Sequence, residues 1–468
     1  MAKSSARAEG KGKSSLGVLI LAAGKGTRMV SSTPKVLHRI GGRPMITYIL
    51  RLANAMKPVS IGIVVGHEEE TVRGEIQRIA KDIGVTRPIT FIRQVGSGTG
   101  AAVLDALPFL KKHQSAIVLC GDTPLLTFDT VHAMYAGHQA SKGQITILTA
   151  RVRSPKGYGR IVRSPSGDVL RIVEESEATV KEAAISEINS GTYCFEVPLL
   201  VGAVKALKPQ GPKGELYLTQ CLETVRQQGG RVSGCLAVNA DETLGVNTRV
   251  QLSLAERVLN RRMLERLMLS GVTVIDAETT YVDADVEIGQ DSVLLPGTIL
   301  RGKTKIGKQC RIGPFTSIEE SSIGNESTIS CSVLAGVRVL EKSNIGPFAH
   351  LRPESVIGPR ARVGNFTEIK ASRIGFGSKV PHLSYIGDAD IAEDVNIGAG
   401  TITCNFDGVA KHKTVIHAKA FIGSNVNLVA PVKIGRGATI GAGSTITEDV
   451  PEANLAIARS PQVNKVRK

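Results

Sequence analysis

The feature that most constrains this chain of 468 residues is an aliphatic side chain that returns at every sixth position of its second half. The repeat occupies 282–318, 333–369 and 416–446, and a Gly often follows the aliphatic residue. A period of six fits neither an α-helix nor a half-buried strand. It is typical of a parallel β-helix, in which each hexad is one short strand and one turn. The aliphatic residue is expected to point inward, and the small neighbour to allow a sharp turn of the backbone.

Three hexads make one triangular coil, so the repeat predicts about nine coils and a prism about 40–45 Å tall at ~4.8 Å between strands. The spacing shortens to five residues near 323, 374 and 391. A polar stretch at 400–414 interrupts the repeat, and we expect it to form a loop that projects from a coil. Loops on rigid scaffolds often carry function.

Composition limits the classes of protein that the chain can belong to. Its length predicts two or three domains. Seven Cys without a CxxC pair argue against a disulfide framework and for the reducing cytoplasm. No apolar run reaches membrane-spanning length, so no membrane insertion is expected. A net charge of +16 favours polyanionic ligands, whereas the absence of any nucleic-acid-binding motif argues against nucleic acid as a partner.

The first half alternates between strand and helix patterns after residues 1–15, a basic polar stretch that we predict to be a disordered tail rather than a signal peptide. This βα alternation predicts a parallel, doubly wound sheet in a domain spanning 16–248. Ligands in such sheets bind beyond the carboxyl ends of the strands. The predicted strands are 17–21, 60–66, 88–92 and 116–119, with helices at 44–55, 68–84 and 101–107.

Three candidate elements of a site follow these strands: the loop 22–29, the glycine cluster 96–100 and Asp122. Small residues in such loops let backbone amides approach a phosphate or a base, and Arg28 and Lys35 supply positive charge. A carboxylate beside Gly at the end of a strand can hold Mg²⁺. Asp122 can equally be a turn or N-cap residue, and its local sequence leaves both roles open.

The segment LAAGKGTRM at 21–29, followed by Pro34-Lys35, resembles the sugar-phosphate nucleotidyltransferase family. With the hexad repeat attached, residues 16–462 resemble the bacterial bifunctional enzymes that are both N-acetylglucosamine-1-phosphate uridylyltransferase and glucosamine-1-phosphate N-acetyltransferase. The resemblance implies an α/β doubly wound, Rossmann-like nucleotidyltransferase domain followed by a left-handed parallel β-helix of hexapeptide repeats. It also implies acetyl transfer from acetyl-CoA to glucosamine 1-phosphate and then Mg²⁺-dependent uridylyl transfer from UTP to N-acetylglucosamine 1-phosphate. The product would feed the synthesis of peptidoglycan and lipopolysaccharide precursors.

The resemblance also assigns residues of the nucleotidyltransferase site. It gives catalytic phosphate contacts to Arg28 and Lys35, and Mg²⁺ to Asp122 and Asn247. The family's uracil-contacting Gln falls at Arg93, with Gln94 next to it, and the family's His is Ala101, so a strict preference for uridine is the expectation most in need of a test. The residues assigned to UDP-N-acetylglucosamine are Leu21, Ala22, Ala23, Gly24, Lys35, Arg93, Gln94, Gly98, Thr99, Gly159, Glu174, Asn189 and Asn247.

In the repeat, the resemblance makes His382 the general base of acetyl transfer, because imidazole exchanges a proton near neutrality. Taken alone, a His at a coil corner is more often a capping or packing residue, and the neighbouring Lys379, Tyr385 and Asn396 favour the catalytic role. Phe406 replaces the family's Tyr, so one hydroxyl contact is missing. A homotrimer with the acyl site at a shared edge is implied. The residues assigned to glucosamine 1-phosphate are Arg352, Lys370, Tyr385 and Asn396, and those assigned to acetyl-CoA are Ala399, Asn405, Phe406, Ser424, Ala442 and Arg459.

The stretch 249–270 predicts a helix that links the nucleotidyltransferase domain to a β-helix domain over 271–468. A calmodulin-target or membrane-surface helix is the alternative. Two other functions compete with the bifunctional enzyme. One is a nucleotidyltransferase whose β-helix only oligomerises or binds an effector, against which His382, Lys370 and the 400–414 loop argue. The other is a regulatory subunit without catalysis, against which the intact loop 22–29 and Asp122 argue.

Overall fold

The structure is a computed structural model that describes residues 15–210 and 214–466. Apart from Ser15, the predicted disordered tail lies outside the described residues. The chain divides into two compact units, one ending at Leu259 and the other beginning at Asn260. This division falls inside one helix, and the domain limits at 248 and 271 stay predictions.

The first unit consists of one sheet with helices packed on both faces, and a small β2–β3 hairpin. The three 3-10 turns are Thr27–Met29, Lys35–Leu37 and Ala240–Thr243. The strands are β1 (Leu16–Leu21), β2 (Arg39–Ile40), β3 (Arg43–Pro44), β4 (Ser60–Val65), β5 (Ile89–Arg93), β6 (Ser115–Cys120), β7 (Ile145–Arg151), β8 (Arg160–Arg163), β9 (Val169–Val173), β10 (Glu187–Glu196) and β11 (Val232–Leu236). The helices are α1 (Met45–Ala55), α2 (Glu69–Asp82), α3 (Thr99–Asp105), α4 (Leu107–Leu110), α5 (Phe128–Ser141), α6 (Val180–Ala183), α7 (Val197–Lys205) and α8 (Gln220–Gln227), and α9 (Arg249–Leu269) follows them.

The order of the main sheet is β11-β7-β10-β6-β1-β4-β5. Strands β6, β1, β4 and β5 are parallel, in agreement with the prediction from the first half of the sequence. Strand β10 runs antiparallel between β6 and β7, which the βα alternation did not predict. The reason is that β7 is followed by the β8–β9 hairpin and not by a crossover helix of the length that a parallel return requires.

The main sheet separates two hydrophobic cores. Val18 and Ile20 of β1 pack into one core and Leu19 packs into the other. Successive side chains of a strand point to opposite faces, and a strand covered on both faces is apolar throughout. The carboxyl ends of β1, β4, β5 and β6 are therefore held rigidly beside one another.

The second unit is a left-handed parallel β-helix. The hexad repeat predicted the parallel β-helix, and the family resemblance implied its left hand. Along most of the prism, each strand pairs in parallel with the strand three positions later, which produces three long sheets. The last strand instead pairs with the strand two positions before it. The sheets begin at β12, β13 and β14. The strands are β12 (Thr273–Val274), β13 (Tyr281–Val282), β14 (Glu287–Ile288), β15 (Val293–Leu294), β16 (Ile299–Arg301), β17 (Lys305–Ile306), β18 (Arg311–Ile312), β19 (Ser317–Glu319), β20 (Ser322–Ile323), β21 (Thr328–Ile329), β22 (Val333–Ala335), β23 (Arg338–Val339), β24 (Asn344–Ile345), β25 (His350–Leu351), β26 (Val356–Ile357), β27 (Arg362–Asn365), β28 (Glu368–Lys370), β29 (Arg373–Ile374), β30 (Lys379–His382), β31 (Tyr385–Gly387), β32 (Ala389–Ile391), β33 (Asn396–Ile397), β34 (Ile402–Cys404), β35 (Thr414–Ile416), β36 (Phe421–Ile422), β37 (Asn427–Val429), β38 (Val432–Ile434), β39 (Thr439–Ile440), β40 (Thr445–Ile446) and β41 (Leu455–Ala456).

The aliphatic repeat forms the core of the prism, with one error in the predicted register. Val333, which we placed in the repeat, is 49% exposed, whereas Leu334 is 1% exposed and occupies the inward position. Leu334 pairs with Ile318 of the preceding coil. The spacing is five residues from Ile329 to Leu334 and again to Val339, so the sequence period alone put the inward position one residue too early.

The glycines that follow the aliphatic residues mostly serve a different purpose from the one we predicted. A Cβ on Gly364 would lie 1.9 Å from the carbonyl oxygen of Pro381 in the next coil. A Cβ on Gly423 would lie 2.5 Å from the amide nitrogen of Ala442. Close approach between coils therefore excludes a side chain at these positions. The left-handed backbone conformation lies further along each turn, for example at Glu320 with φ 46°.

The predicted loop is shorter than 400–414, because Ile402–Cys404 is a strand of the sheet. Residues 405–413 leave the coil. They form a hairpin closed by an antiparallel bridge between Phe406 and Lys411. Asp407 stabilises its tip by accepting hydrogen bonds from the backbone amides of Val409 and Ala410.

The predicted helix over 249–269 is present as α9. In the first unit, Glu256 accepts a hydrogen bond from the amide of Gly41. In the second unit, the Asn260 side chain donates to the carbonyl of Thr280 and accepts from the amide of Val282. Among the described residues, no helix combines the length and the apolar character needed to cross a bilayer.

Candidate active sites

A cavity of about 730 Å³ opens at the carboxyl ends of β1, β4, β5 and β6. Its lining includes residues 21–28, residues 94–99, Lys35, Asp122 and Asn247. Parallel strands bring these segments together from distant parts of the sequence, as expected for a ligand site in a doubly wound sheet.

Lys35 is the centre of a charged cluster in this cavity. Its Nζ lies 2.5 Å from Asp122 Oδ2 and 3.1 Å from Asn247 Oδ1. The amide of Val246 donates to the carbonyl of Asp122 and so fixes the two loops against each other. The N-cap of the helix after β6 is Thr127, and Asp122 does not take that role.

Glycine 26 explains why the loop after β1 can bring Arg28 to the cavity. Gly26 has φ 63°, and a Cβ there would lie 2.7 Å from the Cβ of Lys35. A left-handed residue without a side chain is therefore required at this point. The 3-10 turn Thr27–Met29 follows directly, and Arg28 lines the cavity with a largely exposed side chain.

Of the two residues predicted near the base, the structure places Gln94 and not Arg93 in the cavity wall. The Gln94 side chain donates to the carbonyls of Gly96 and Gly98 at 2.9 and 3.0 Å and so shapes the glycine cluster. The Arg93 side chain is 78% exposed, and its Nε lies 3.5 Å from Glu69 Oε2. Gln94 comes one position after the end of β5, where a side chain turns into the cleft.

A second cavity of about 180 Å³ shares Arg28, Cys120, Asp122 and Asn247 with the first. The remainder of its wall comes from the segments 157–159 and 189–191, together with Thr123, Thr243, Gly245 and Gln251. Two of the three residues predicted for the sugar, Gly159 and Asn189, lie in this wall. The two cavities therefore meet at Asp122.

Glu174, the third residue predicted for the sugar, lies directly behind Gly159. A Cβ on Gly159 would be 3.5 Å from Glu174 Oε2. Thr219 Oγ1 donates to Glu174 Oε1 at 3.0 Å, and burial raises the pKa of the Glu174 carboxyl. Sequence reasoning did not select Thr219, because nothing in its neighbourhood marks it as functional. It also missed Tyr158, although this residue directly precedes Gly159.

In the β-helix, one edge of the prism collects His382 and most of the residues predicted for acetyl-CoA. We call it the His382 edge, and it separates the sheet of β30 from the sheet of β31. Consecutive coils are joined here by backbone hydrogen bonds between corner residues. The bonds run from Gly400 N to His382 O, from Asn425 N to Ala399 O and from Gly443 N to Ser424 O, and Arg459 Nη1 donates to Ala442 O at 2.5 Å.

Asn365 orients the ring of His382. These residues are partners in the pairing of β27 with β30, and His382 Nδ1 lies 2.6 Å from Asn365 Oδ1. An amide oxygen only accepts hydrogen bonds, so in the neutral ring Nδ1 carries the proton and Nε2 keeps its lone pair. Sequence reasoning missed Asn365 because its hydrogen bond to His382 joins two adjacent coils and not neighbours in the sequence. A search one coil before His382 would have found it.

A second polar cluster in the β-helix contains Lys370, Asp388 and Lys411. Lys370 Nζ lies 3.9 Å from Asp388 Oδ2, and Asn405 donates to the same carboxylate. The nearby Lys370 ammonium lowers the pKa of Lys411. Tyr385 Oη is 3.5 Å from the Asn405 amide. Two lysines held this close favour an anionic ligand, and Lys411 was not among the residues predicted from the sequence.

The other predicted residues of this half lie around these two groups. Arg352 Nη1 is 2.9 Å from Glu368 Oε1. Asn396 lies on β33 in register with Lys379, and Phe406 is exposed at the base of the hairpin. The three residues of Tyr385–Gly387 separate the His382 edge from the lysine cluster by roughly 10 Å.

Comparison with known proteins defines the class first. Residues 18–232 match the model of the MobA-like NTP transferase domain, and residues 413–448 match the bacterial transferase hexapeptide repeat. The chain is therefore a nucleotidyltransferase joined to a hexapeptide-repeat transferase.

Full-length relatives narrow this class. The chain is 48% identical over 447 residues to the bifunctional protein GlmU of Caldanaerobacter subterraneus subsp. tengcongensis. This match covers 96% of each protein. It is 47% identical to bifunctional protein GlmU of Carboxydothermus hydrogenoformans, over 96% of this chain and 98% of that protein. It is 48% identical to the Heliobacterium modesticaldum protein of the same name, over 94% of this chain and 95% of that protein.

The chain belongs to the GlmU family of bifunctional enzymes. It is a transferase that carries out acetyl transfer and uridylyl transfer in the synthesis of UDP-N-acetylglucosamine, which confirms the predicted family, fold and function. The alternatives of a purely structural β-helix and of a non-enzymatic subunit are excluded. Family membership implies a divalent metal requirement, and the hexapeptide β-helix indicates oligomerisation.

Proposed function

We propose that the joined cavities of the first unit transfer the uridylyl group of UTP to N-acetylglucosamine 1-phosphate. A phosphate oxygen of the sugar attacks the α-phosphorus of UTP, and pyrophosphate leaves. Such transfers need alignment and charge neutralisation more than a protein nucleophile. The observation that carries the proposal is the convergence of Arg28, Lys35, Asp122 and Asn247 where the two cavities meet.

Asp122 and Asn247 are the residues that we propose to hold the metal, and Mg²⁺ is the proposed ion. The two side chains supply one carboxylate and one amide oxygen, which are donors that Mg²⁺ prefers. Both oxygens already converge on one positive charge, the Lys35 ammonium, so the position suits a cation. When bound, Mg²⁺ would neutralise phosphate charge.

The two cavities divide the substrate between them in this proposal. We assign uracil and ribose to the large cavity. The resemblance left open whether Arg93 or Gln94 contacts the uracil, and we assign this contact to Gln94. Arg28 and Lys35 would contact the phosphates. The sugar would occupy the smaller cavity. The contributing residues are Leu21, Ala22, Ala23, Gly24, Gly98 and Thr99 in the large cavity, and Gly159 and Asn189 in the smaller one, with Glu174 behind Gly159.

For acetyl transfer we propose His382 as the general base, acting through Nε2. The amine of glucosamine 1-phosphate attacks the thioester carbonyl of acetyl-CoA, and Nε2 accepts the amine proton. The C–S bond then breaks, and coenzyme A leaves as a thiolate that takes up a proton. The support is the Asn365 contact, which leaves this nitrogen free to accept a proton.

The two polar groups of the β-helix would bind the two substrates of acetyl transfer. Lys370 and Lys411 supply positive charge for the sugar phosphate, with Arg352, Tyr385 and Asn396 beside it. Acetyl-CoA would lie along the His382 edge. Its proposed contacts on this edge are Ala399, Ser424, Ala442 and Arg459. We also assign to it Asn405 and Phe406, which lie beside Asp388 and Lys411.

We further propose a homotrimer that forms through the prism. A row of exposed apolar side chains lies along the His382 edge, beginning next to His382 and continuing through the coils nearer the N-terminus. We call this row the apolar ridge, and it consists of Leu383, Phe366, Phe348 and Phe315. Phe348 and Phe366 stack with their ring centroids 5.4 Å apart. Exposed apolar rows of this kind mark interfaces.

The cytoplasm is the compartment that we propose. Each of the seven cysteines has a free thiol, including the partly exposed Cys331 and Cys404. Such thiols persist in a reducing environment.

The decisive experiment separates the two activities in the whole protein. Pyrophosphate release would be followed with UTP and N-acetylglucosamine 1-phosphate. Thiol release would be followed with acetyl-CoA, with and without glucosamine 1-phosphate. Asp122→Ala should abolish the first reaction and spare the second, and His382→Ala should do the opposite. Loss of both activities in either folded variant would contradict the assignment of two independent sites.

A further inference from the structure

Arg160 is a charged side chain that the proposed mechanism does not use. It is 2% exposed, at the first position of β8 and directly after Gly159. It lines neither of the two cavities described above. Burial of a guanidinium is unfavourable unless its N–H groups find acceptors. Its contacts therefore indicate what it does.

The guanidinium of Arg160 joins three segments of the chain, which are its own segment 157–160, the segment of Glu175 and the segment of Ala183. Nη2 lies 2.7 Å from Glu175 Oε2, and Nη1 donates to the carbonyl of Tyr158. Nε donates to the carbonyl of Ala183 at 3.4 Å. Glu175 Oε2 also accepts from the amide of Gly157 at 3.1 Å. The Arg160 side chain lowers the pKa of the Glu175 carboxyl, so this carboxylate stays charged around neutrality.

Each residue proposed to bind the sugar is next in the chain to a residue held by this cluster. Gly159 precedes Arg160, and Glu174 precedes Glu175. Arg160 also pairs with Ile188 of β10, the residue before Asn189. In addition, the amide of Asn189 donates to the carbonyl of Gly159 at 2.9 Å.

The same cluster reaches the metal-binding side of the cavity through Tyr158. The amide of Gly245 lies 3.4 Å from Tyr158 Oη, and the next amide, that of Val246, donates to the carbonyl of Asp122. By contrast, no hydrogen bond or ion pair among the described residues joins Arg160 or Glu175 to the loop at 22–28 or to residues 94–99. The cluster is therefore linked to the sugar half of the site and not to the nucleotide half.

We propose that Arg160 and Glu175 are positioning residues that set the affinity of the enzyme for the N-acetylglucosamine group. They hold Gly159, Glu174 and Asn189 in the arrangement that receives the sugar, without touching it. This inference rests on the proposed uridylyl transfer and on the proposed sugar contacts.

The test compares two ligands that differ only in the sugar. Binding of UDP-N-acetylglucosamine and of UDP to the full-length protein would be measured by titration calorimetry, for wild type and for Glu175→Gln. The Glu175 side chain is 44% exposed, so this variant should fold. We expect the affinity for the nucleotide sugar to fall about tenfold or more, as for loss of a charged hydrogen bond, and the affinity for UDP to stay unchanged.

Kinetics supply a second readout that a general loss of stability would not produce. In Glu175→Gln, the KM for N-acetylglucosamine 1-phosphate should rise, while the KM for UTP and the rate of acetyl transfer stay at wild-type values. Arg160→Lys should act in the same direction, because an ammonium cannot serve the three acceptors of the planar guanidinium.

Arg171→Gln is the matched control. Arg171 lies on the same hairpin and pairs with Glu182, but it is 46% exposed and lies outside the cluster. It should bind both ligands like wild type. Equal weakening of UDP and UDP-N-acetylglucosamine in Glu175→Gln, or no weakening of either, would refute the positioning role. If the wild-type protein formed no UDP-N-acetylglucosamine from UTP and the sugar phosphate, the proposed function itself would be wrong.

Discussion

Single residues set the position and the protonation of the side chains that we propose to be catalytic. Asn365 illustrates this for the β-helix, because its amide oxygen fixes which nitrogen of His382 is free. Gly26 illustrates it for the nucleotide site, because its left-handed conformation lets the loop bend around Lys35. Neither residue carries chemistry of its own. Each determines the position or the protonation of a residue to which we assign a part in the chemistry.

Asn365→Asp tests the role of Asn365 at the residue scale. A carboxylate beside Nδ1 would stabilise the imidazolium form of His382 relative to the neutral base. The acid limb of the pH–rate profile of acetyl transfer should therefore move to higher pH. Asn365→Ala should lower kcat without such a shift. Pyrophosphate release by the first unit is the internal control and should not change. An unshifted acid limb in Asn365→Asp would show that Asn365 does not orient the base.

Gly26→Ala and Gly74→Ala form a matched pair. At Gly26, a Cβ meets Lys35 at 2.7 Å with φ 63°, and a non-glycine residue in this conformation costs about 1–2 kcal/mol before any clash. We expect uridylyl transfer to fall at least about tenfold. At Gly74, inside α2, a Cβ meets no atom within 4 Å, and the change should stabilise the fold by up to about 1 kcal/mol. Similar activities for both variants would contradict the role of the loop.

At the scale of elements, the corner of each coil explains the shortened repeats. Within a spacing of six residues, such as that from Ile357 to Val363, the left-handed residue is the third after the first inward residue, at Arg360. Within a spacing of five residues, such as that from Ile318 to Ile323, the left-handed residue is the second after the first inward residue, at Glu320. A spacing of five residues therefore has one residue fewer in the corner, and the strand itself is not shortened. The inward side chains stay aligned, because the strand and not the corner sets their direction.

Leu334→Ala and Val333→Ala test this register with neighbouring residues. Leu334 is 1% exposed, so its truncation leaves a cavity in the prism and should cost about 2–5 kcal/mol of stability. Val333 is 49% exposed, and its truncation should cost well under about 1 kcal/mol. Thermal unfolding of the two variants measures the difference. A larger loss for Val333→Ala would restore the register that the sequence period alone predicts.

For the whole molecule, the apolar ridge would connect the proposed assembly with acetyl transfer. It lies on the same edge as His382, and Leu383 is the next residue in the chain. Subunits that pack along this edge would enclose the His382 site between them. The cavities of the first unit consist of residues from that unit alone, so uridylyl transfer should not depend on assembly.

The double variant Phe348→Ser, Phe366→Ser should dissociate the proposed trimer, because it removes two exposed stacked rings. Light scattering measures the molecular mass in solution, which should fall in the double variant. The rate of thiol release should also fall, while pyrophosphate release continues at the wild-type rate. Phe376→Ser is the control, since Phe376 is also exposed at 45% but lies outside the ridge, near Arg360. A wild-type mass for the double variant would contradict assembly through this edge.

The sequence by itself determined the two folds, because their signals are local. A period of six specifies a β-helix, and the alternation of strands and helices specifies a doubly wound sheet. Motifs at strand ends, such as the loop 22–29 and Asp122, were found for the same reason: parallel strands place their carboxyl ends at one edge. Only the tertiary structure decided the contacts between distant segments. The choice of Gln94 over Arg93, the link from Asn365 to His382 and the burial of Arg160 depend on neighbours many residues away or one coil apart. No pattern along the chain encodes such neighbours, because packing in three dimensions sets which side chains meet.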